Sequence, residues 1–387
     1  MKTKVFALCL ALANPFALAD ELPPNRALTL EDLRTFTDVF DQVRNHFVEP
    51  RDEHALLMAA IEGMVSTLDP WSEFMTPDEF REFDNTAAGR YGGIGVNIGI
   101  RNRRLVVDHV NPLGPAFRNG VKTGDLILAV DDVPVKGRRL SESMDALLGE
   151  AGSVVRVEVM TPGEESRQLE FEREYLDVAS VFSAIREGVG LVRISHFTRQ
   201  SDEELKKVLK YLVEDHGTDL EGLVLDLRAN PGGVIQSAVA MADSFLDDGL
   251  IVFTNSRYSP SRLEVYAEKG QWSPHTGIAV LVDHNTASAA EVLAGALKDR
   301  GRAVVIGEKT YGKGSIQSIL NMRNGAALKL TTAHYYTPSG ATIHERGIEP
   351  DIEVDLSVME APESLQAPGD DPVIGKAIEI LKNGQKT

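Results

Sequence analysis

From about Leu176 onwards the chain alternates short apolar segments with segments of helical periodicity, and this order limits its fold more than any other feature. The segments LVRIS, GLVLDLR, IAVLVD and AVVIG are typical of buried strands. Between the first two, leucine and valine recur at helical spacing over residues 205–213, after a capping-box pattern at Ser201 and Glu204. Strands and helices in alternation predict a mostly parallel sheet covered by helices.

The rest of the chain divides into regions with different sequence patterns. Residues 20–86 are predicted to be helical, beginning with a capping-box pattern at Thr29 and Asp32. Residues 87–173 contain strand-like segments such as RLVVDHV and SVVRVEV, separated by turn residues, and predict an inserted β-rich domain. We expect residues 174–355 to form the α/β core. A polar, Pro-containing linker and one closing helix are predicted for residues 356–387.

The first residues have the layout of a secretory signal peptide. Lys2 and Lys4 precede a short apolar run, and Ala17-Leu18-Ala19 forms an A-x-A cleavage pattern. The run is too short to span a bilayer, and no later apolar run approaches the roughly 20 residues that a spanning helix needs. A buried N-terminal helix is the alternative. We predict removal of residues 1–19 and export to the periplasm, in solution or at the envelope.

Removing residues 1–19 also removes Cys9, the only cysteine of the chain. Disulfides, cysteine nucleophiles and Cys-based zinc sites are therefore excluded from the mature protein. The formal charge changes from −18 to −20, because Lys2 and Lys4 are lost, which argues against nucleic acid and against an anionic membrane surface as partners. The sequence contains no H-E-x-x-H motif, and we expect neither a metal ion nor another cofactor.

Two glycines follow a predicted strand in DLRANPGG. Gly232 and Gly233 leave backbone N–H groups free to face a ligand or an oxyanion. A tight strand-to-helix turn without any chemical role is the alternative.

One serine stands at a predicted helix start in DHNTASAAEVLAGALKD. We expect Asn285 or Thr286 to be the N-cap, with Ser288 in the first turn of the helix. The Ser288 hydroxyl and the N–H of Ala289 would then lie at the positive end of the helix dipole, which favours developing negative charge. A serine that only begins a helix is the alternative.

The stretch GEKTYGKGSIQ contains G-x-x-x-x-G-K, which resembles the start of a phosphate-binding loop. Such a loop needs Ser or Thr directly after Lys313 and a helix that faces the phosphates. Here Gly314 follows, and SIQSIL is at least as typical of a strand. The pattern therefore disfavours nucleotide binding, and leaves Lys313 as a solvated lysine in a glycine turn or as a base.

A serine nucleophile needs a base, and none of the nine histidines lies in a recognisable Ser-His-Asp context. A lysine can be that base when burial lowers its pKa. Lys313 follows Ser288 after one helix and one strand, and neighbouring parallel strands bring such ends together. Gln317, four residues further on, falls on the same side as Lys313 in either a helix or a strand. The spacing predicts that Ser288 and Lys313 lie close together.

The segment TASAAEVLAGALKDRGRAVVIGEKTYGKGSIQ resembles, along its whole length, the signature of the C-terminal processing peptidases, also called tail-specific proteases. The resemblance implies a serine endopeptidase with Ser288 as nucleophile, Lys313 as general base and Gln317 as its positioning partner. It also implies that the N–H of Ala289 forms an oxyanion hole with that of Gly232 or Gly233. LDPWSEF, at residues 68–74, is similar to a further segment of the family.

The inserted domain resembles the PDZ domain of these peptidases. The resemblance implies that GIGV, from Gly93 to Val96, is the loop whose Ile94, Gly95 and Val96 N–H groups bind the free carboxylate of a substrate. Successive backbone donors form an anion nest, and the substrate tail adds a strand beside them. In some members an arginine near the end of the PDZ helix senses the ligand, but Leu148 precedes Gly149 here, which puts such gating in doubt.

The resemblance also implies partners. Substrates would be proteins with accessible, apolar C-terminal tails, such as cell-wall hydrolases, delivered in some cases by an adaptor lipoprotein. Helical termini at both ends, as here, often mediate dimers or larger assemblies in the family, so the resemblance also predicts a homo-oligomer. A PDZ-bearing scaffold or holdase without catalytic activity is the alternative function, and it differs in predicting that Ser288→Ala changes nothing.

Overall fold

The computed structural model describes residues 28–101, 104–216, 220–257, 262–356 and 371–384. The predicted signal peptide, and nearly all of the predicted linker, lie outside the described residues. The chain divides into two compact units, Met1–Met64 and Val65–Thr387. None of the described helices is long and apolar enough to cross a bilayer.

Two helices begin the described chain, α1 (Leu30–His46) and α2 (Glu53–Ser66). The predicted capping box of α1 is confirmed, because the Thr29 hydroxyl accepts the N–H of Asp32 at 3.1 Å and the Asp32 carboxylate accepts the N–H of Thr29 at 2.8 Å. Several apolar side chains of α1 are 40–64% exposed: Leu30, Leu33, Phe36, Val39 and Val43. The helix therefore presents apolar surface to solvent.

The predicted β-rich insert is present. It follows β1 (Glu73–Met75) and α3 (Pro77–Ala87), and its elements are β2 (Arg90–Gly93), β3 (Val96–Arg101), β4 (Arg104–Val110), α4 (Pro115–Arg118), β5 (Leu126–Val130), β6 (Val133–Pro134), α5 (Leu140–Leu147), β7 (Val154–Met160), β8 (Arg167–Glu172) and β9 (Glu174–Asp177). Five strands form an antiparallel sheet in the order β3-β4-β5-β7-β8, with β6 beside β5. β2 and β9 pair with each other as a separate antiparallel ribbon. β3 is consequently an edge strand of the domain's main sheet.

The remaining elements form the α/β core. They are β10 (Val181–Arg186), β11 (Val189–Ile194), α6 (Ser201–His216), β12 (Gly222–Asp226), α7 (Ile235–Phe245), β13 (Leu250–Ser256), β14 (Leu263–Tyr266), β15 (Ile278–Val282), α8 (Ala289–Asp299), β16 (Ala303–Gly307), β17 (Ser315–Asn321), β18 (Ala327–Tyr336), β19 (Ile352–Glu353) and α9 (Pro372–Gly384). The main sheet has the order β10-β11-β12-β15-β16-β19. Its last five strands are parallel and only β10 is antiparallel, which confirms the predicted mostly parallel sheet.

Helices cover both faces of this sheet, so its central strands β12 and β15 are buried along their whole length. In β12, Leu223 and Leu225 pack with the helices α6, α7 and α8, whereas Val224 points to the opposite face. That opposite face is covered by α9, whose buried apolar residues are Val373, Ile374, Ala377, Ile378 and Leu381. Strands buried on both faces read as continuous apolar runs, which is why the sequence pattern identified them.

A second sheet differs from the simple strand–helix alternation. β1, β13, β14, β17 and β18 form an antiparallel sheet in which the long strand β18 pairs with three of the others. LKLTT belongs to β18 and SIQSIL to β17. This sheet carries a segment from before the β-rich insert, Glu73–Met75, into the core.

The predicted capping box of α6 is wrong. The Glu204 carboxylate does not bond to the start of its own helix, and instead accepts the N–H groups of Ser180 and Val181 at 2.8 and 3.0 Å. Ser201 Oγ accepts the N–H of Thr198 at 2.7 Å. Glu204 therefore joins α6 to the start of β10.

A buried ion network joins α9 to the loop after β12. The guanidinium of Arg228, 3% exposed, donates to Asp226 at 2.7 Å and to Asp371 at 2.8 Å. Burial opposes ionisation of Asp371, but the hydrogen bond from Arg228 and its charge outweigh that effect and hold the pKa of Asp371 below its usual range. Removing one member would leave a buried charge poorly compensated.

We expect Asp371→Asn to lower the free energy of unfolding by about 1–3 kcal/mol, because a charged hydrogen bond is replaced by a neutral one. Urea denaturation at pH 7 measures the change. The matched control is Asp248→Asn, since Asp248 pairs with Arg300 on the surface with an 83% exposed side chain. Because the folded-state pKa is depressed, the difference between wild type and Asp371→Asn should shrink as the pH falls through that pKa. An equal effect of both substitutions at pH 7 would contradict this assignment.

Candidate active site

Ser288 lies between the turn after β15 and the first residue of α8, so it is itself the N-cap of this helix. The predicted N-caps, Asn285 and Thr286, are therefore wrong. The Thr286 hydroxyl instead accepts the N–H of Asp283 and donates to the carbonyl of Leu227, both at 2.9 Å. Thr286 thus fixes the turn to the neighbouring strand end rather than beginning the helix.

The backbone of Ser288 is strained, with φ 55° and ψ −118°. Non-glycine residues rarely adopt positive φ, and such conformations cost about 1–3 kcal/mol and persist only where the surroundings impose them. Here the N–H of Ser288 donates to Glu291 at 2.7 Å, and the N–H of Ala287 donates to the carbonyl of Asn230 at 2.9 Å. The strained turn therefore places Ser288 Oγ at the carboxyl end of the parallel sheet.

Glu291 joins the Ser288 turn to the Lys313 loop. Its side chain is fully buried and accepts four hydrogen bonds: from the N–H of Ser288 at 2.7 Å, the hydroxyl of Thr310 at 2.5 Å, the N–H of Gly312 at 2.7 Å and the N–H of Lys313 at 2.9 Å. Burial raises the pKa of Glu291 above its usual range, although these four donors oppose the shift. One carboxylate thus fixes the backbones of Ser288 and Lys313 relative to each other.

The Lys313 side chain is half-buried in the loop between β16 and β17. Burial lowers the pKa of its ammonium group, the charge of Lys329 lowers it further, and Asp69 opposes both. Its Nζ lies 5.9 Å from the centre of the Trp71 ring. Within the described parts of the chain we find no hydrogen bond or ion pair for this ammonium. The surroundings therefore favour its neutral form more than water does.

Trp71 reaches this site from the LDPWSEF segment. Asp69 accepts the N–H groups of Trp71 and Ser72 at 2.8 and 2.7 Å, which closes a tight turn. Ser72 Oγ accepts the N–H of Thr331 at 3.1 Å and so fastens the turn to β18. The sequence indicated this segment through the family resemblance, but not that it lies over Lys313.

The Ser288 hydroxyl contacts a tyrosine that the sequence did not predict. Ser288 Oγ lies 3.3 Å from the phenol oxygen of Tyr335, and Tyr335 is 3% exposed. Among the described residues, neither Lys313 nor any histidine is hydrogen-bonded to Ser288 Oγ. Ser288 and Lys313 are therefore connected through Glu291 rather than by a direct hydrogen bond between their side chains.

Gln317 lies in β17, four residues after Lys313. Its amide donates to Ser315 Oγ at 3.0 Å and to Thr331 Oγ1 at 3.1 Å. These two hydroxyls hold the Gln317 side chain against β18, on which the Trp71 turn is also fastened. The residue therefore lies at the same end of the second sheet as the Lys313 loop, with its amide hydrogen-bonded to neighbours in the sheet.

The predicted oxyanion donors lie beside Ser288. A Cβ built on Gly232 would approach Ser288 Cβ to 2.7 Å and the nitrogen of Ala289 to 3.0 Å, so only glycine fits there. The N–H of Gly232 donates to Asn230 Oδ1 at 2.8 Å. In contrast, the N–H groups of Ala289 and Gly233 have no hydrogen-bond acceptor among the described residues. Gly232 thus leaves space beside Ser288, and the backbone N–H groups of Gly233 and Ala289 are donors without a protein acceptor among the described residues.

Other groups near Lys313 do not form a metal site or a phosphate loop. The rings of His334 and His344 lie 4.4 Å apart, and that of His344 lies 5.6 Å from Trp71. No group of three or more potential metal ligands occurs among the residues that the structure describes. The residues after Lys313 form strand β17 rather than a helix, which argues against phosphate binding. His284 is largely exposed and pairs with Glu308.

The GIGV segment connects β2 to the edge strand β3. Gly95, with φ 83°, packs so closely on Gly114 that an added Cβ would lie 3.0 Å from its Cα. Ile94 is buried, and a Cβ on Gly93 would contact the side chain of Leu148 at 3.3 Å. The loop, the edge of β3 and the end of α5 therefore lie together.

The arginine missing at Leu148 has no counterpart on α5, but a buried guanidinium lies at the end of this helix. Arg173 donates to the carbonyls of Ala146 and Leu147 at 3.0 and 3.2 Å and to Ser153 Oγ at 2.9 Å. These bonds satisfy carbonyls that the helix end leaves open. Arg173 is thus occupied in holding α5 against the strands of its own domain.

Comparison with protein families gives three matches along the chain. Residues 188–354 match Peptidase family S41, residues 92–170 match the PDZ domain, and residues 17–79 match the N-terminal domain of the activating protease CtpB. The three ranges cover the core, the β-rich insert and the N-terminal region in that order.

Similar proteins extend over nearly the whole chain. A carboxy-terminal-processing protease of Bartonella bacilliformis is 35% identical over 340 residues, which cover 87% of this chain and 78% of that protein. A protein of Staphylococcus aureus described as a CtpA-like serine protease is 32% identical, covering 91% of this chain and 71% of its own length.

Solved structures have the same architecture. The photosystem II D1 C-terminal processing protease is 29% identical, with a TM-score of 0.52 and coverage of 92% of this chain and 98% of its own. A Bacteroides fragilis protein classed with the S41 proteases shares the fold at 15% identity, with a TM-score of 0.53 and coverage of 89% and 97%.

We expect Glu291→Gln to slow the reaction of Ser288 with a fluorophosphonate by about 100-fold or more. A glutamine turns an NH₂ group towards N–H donors, so the two loops would separate, and misplacement by about 1 Å costs this much. Mass spectrometry of the labelled serine measures the rate, and thermal unfolding reports the fold. The control is Glu349→Gln, whose side chain is 66% exposed. Glu291→Gln reacting at the wild-type rate would refute the bridging role.

Proposed function

The chain belongs to the S41 family of carboxy-terminal-processing serine endopeptidases, and from this premise we propose that Ser288 and Lys313 form its catalytic dyad and that its PDZ domain binds the substrate's C-terminus. One observation carries the proposal: the buried Glu291 carboxylate hydrogen-bonds to the backbones of both Ser288 and Lys313. Such a bridge would hold a nucleophile and a base in register, in addition to capping the start of α8.

The environment of Lys313 supports its role as general base. A base must be neutral, and both burial and the neighbouring charge of Lys329 lower the pKa of this lysine. The contact with the Trp71 ring supplies a largely apolar wall. Ser288 also meets the requirements of a nucleophile, since it stands on a strained turn beside unoccupied N–H groups.

The proposed reaction is acyl transfer through a covalent intermediate. Neutral Lys313 removes the proton of Ser288 Oγ as this oxygen attacks the scissile carbonyl carbon. The N–H groups of Ala289 and Gly233 bind the oxyanion, with Gly232 leaving space for the substrate backbone. The Lys313 ammonium then gives its proton to the leaving amine as the C–N bond breaks. Water, deprotonated by Lys313, releases the acyl group in the same way. Gln317 contributes by keeping the end of β17 in place beside the base.

The PDZ domain is proposed to bind the free C-terminus of the substrate. The edge of β3 is available for an added strand, and the N–H groups of Ile94, Gly95 and Val96 would bind the terminal carboxylate. Gly93 allows the loop to pass close to Leu148. An apolar tail residue would then lie between β3 and α5. Position 148 is a leucine, and the nearby Arg173 is already hydrogen-bonded to carbonyls at the end of α5. We therefore propose that no arginine at the end of this helix senses the ligand.

Location and partners belong to the same proposal. We infer export through the signal peptide of residues 1–19, and substrates among envelope proteins with apolar C-terminal tails, including cell-wall hydrolases, with or without an adaptor lipoprotein. The exposed apolar side chains of α1 support assembly into a homo-oligomer. The Ser288 hydroxyl contacts Tyr335 and is not hydrogen-bonded to Lys313 among the described residues. The alternative function, a PDZ scaffold without catalytic activity, therefore also needs a test.

The first test uses a folded protein with an unstructured, apolar C-terminal tail, incubated with the mature protein or with Ser288→Ala. We expect cuts near the tail by wild type only, and at least tenfold slower cutting when the tail carboxylate is amidated, because the PDZ loop loses an anionic ligand. Mass spectrometry locates the cuts. Tail binding without any cutting by wild type would support the scaffold instead, and equal cutting of both tails would remove the PDZ assignment.

The second test concerns the base. The rate of cleavage should rise with pH through the lowered pKa of Lys313, because only the neutral amine accepts the Ser288 proton. Lys313→Arg should lose at least about 1,000-fold in kcat, since arginine stays charged. Lys309→Arg is the matched control, as Lys309 lies in the same loop but pairs with Glu349 on the surface. A flat pH profile or an active Lys313→Arg variant would exclude Lys313 as the base.

A further inference from the structure

We propose that Tyr335 is a third catalytic residue, whose phenol donates a hydrogen bond to Ser288 Oγ and stabilises the negative charge that develops there during attack. This inference rests on the proposed function, because it takes Ser288 as the nucleophile. It adds to the dyad a group that touches the reacting oxygen but accepts no proton.

The geometry places Tyr335 at the reacting atom. Its phenol oxygen lies 3.3 Å from Ser288 Oγ, and its ring is 3% exposed, so the phenol is held by its surroundings. The phenol is the more acidic of the two hydroxyls and is therefore the better donor. When it donates to a lone pair of Oγ, the proton of Ser288 stays free for transfer to Lys313. The phenol and the proposed base thus have different tasks in the reaction.

The backbone ties Tyr335 to the base as well. The N–H of Tyr335 donates to the carbonyl of Gly314 at 2.9 Å, and Gly314 directly follows Lys313. Tyr335 is therefore linked to the nucleophile through its side chain and to the base through its main chain. Glu291 makes a similar connection, but only between backbone groups of Ser288 and the Lys313 loop. Unlike the Glu291 carboxylate, Tyr335 contacts the Ser288 hydroxyl itself.

The length of this contact is compatible with a role in the reaction. The commonest oxygen–oxygen distance of an O–H···O hydrogen bond is about 2.7–2.8 Å, whereas this one is 3.3 Å. Catalytic hydrogen bonds are commonly long before substrate binds and tighten in the transition state. The extra length leaves Ser288 Oγ free to approach a carbonyl carbon while the bond from the phenol shortens.

The protonation state fits a donor. Burial raises the pKa of Tyr335, the nearby Glu291 carboxylate raises it too, and the contact with Ser288 opposes them, so the phenol remains protonated at neutral pH. In the proposed step the Oγ–carbon bond forms as the serine proton moves to Lys313 Nζ. The phenol proton stays on Tyr335 throughout. The charge on Oγ is neutralised in the acyl-enzyme and appears again, with the same phenol donating, when Oγ leaves.

The test compares Tyr335→Phe with Tyr336→Phe in the mature protein. Tyr336 is the next residue of β18 and its ring stacks on Phe253 at 4.9 Å, so its substitution controls for the loss of one hydroxyl from this strand. We expect Tyr335→Phe to lower kcat and the rate of Ser288 labelling by a fluorophosphonate by about 10–100-fold, with KM unchanged. Tyr336→Phe should stay within twofold of wild type. Thermal unfolding of each variant reports the fold.

A second variant keeps the hydroxyl and changes its acidity. Site-specific replacement of Tyr335 by 3,5-difluorotyrosine lowers the pKa of the phenol, so the donor should be lost at lower pH and the rate should fall earlier on the alkaline side. The ascending part of the profile, which reports Lys313, should not move. A purely structural tyrosine would give no such displacement.

The outcomes separate this inference from the function on which it rests. Wild type that neither cuts a tail nor reacts with the fluorophosphonate overturns the nucleophile and the inference together. Wild type that reacts, with Tyr335→Phe reacting equally fast or faster, overturns only the role of Tyr335. An increased KM at unchanged kcat in Tyr335→Phe also overturns it, because the residue would then act in binding.

Discussion

The Glu291 carboxylate is the interaction on which the rest of the site depends. It is removed from water and surrounded by four donors, three of them backbone N–H groups. Burial alone disfavours the negative charge of the Glu291 carboxylate. All four of its hydrogen-bond partners are donors, however, so only the ionised carboxylate can accept from each of them. Each such bond to a charged group contributes about 1.5–3 kcal/mol, which is enough to offset the strain of about 1–3 kcal/mol at Ser288.

Most of the fold could be predicted from the sequence, because strands buried on both faces have a simple signature. Gly222–Asp226 and Ile278–Val282 are entirely buried and appear as unbroken apolar runs between amphipathic helices. β17 and β18 lack this signature, since most of their residues are partly exposed. They pair with each other across a short turn, but β18 also pairs with Glu73–Met75, about 250 residues away in the chain. No local pattern reports a pairing at that separation.

The site could be predicted only in part, for a related reason. Parallel strand ends brought Ser288 and Lys313 to one edge, and family resemblance supplied their roles. The N-cap was misplaced, although a signal existed: Ser288 and Glu291 form an S-x-x-E pattern, the same capping-box spacing that correctly located α1 at Thr29. Tyr335 had no comparable signal, since a tyrosine in a strand is most often a packing residue and only the folded sheet brings its phenol to Ser288.

The surroundings of Lys313 include a segment that is far from the peptidase core in sequence. Lys313 belongs to the region that matches Peptidase family S41, but Trp71, which lies over its ammonium, precedes the PDZ domain. The Asp69 turn and the β1–β18 pairing hold Trp71 in place. Asp69 of this segment also acts on Lys313, since its charge raises the pKa of the ammonium and so opposes the effect of burial. The PDZ domain is therefore inserted between two parts of one structural unit, and the chain on both sides of it contributes to the surroundings of Lys313.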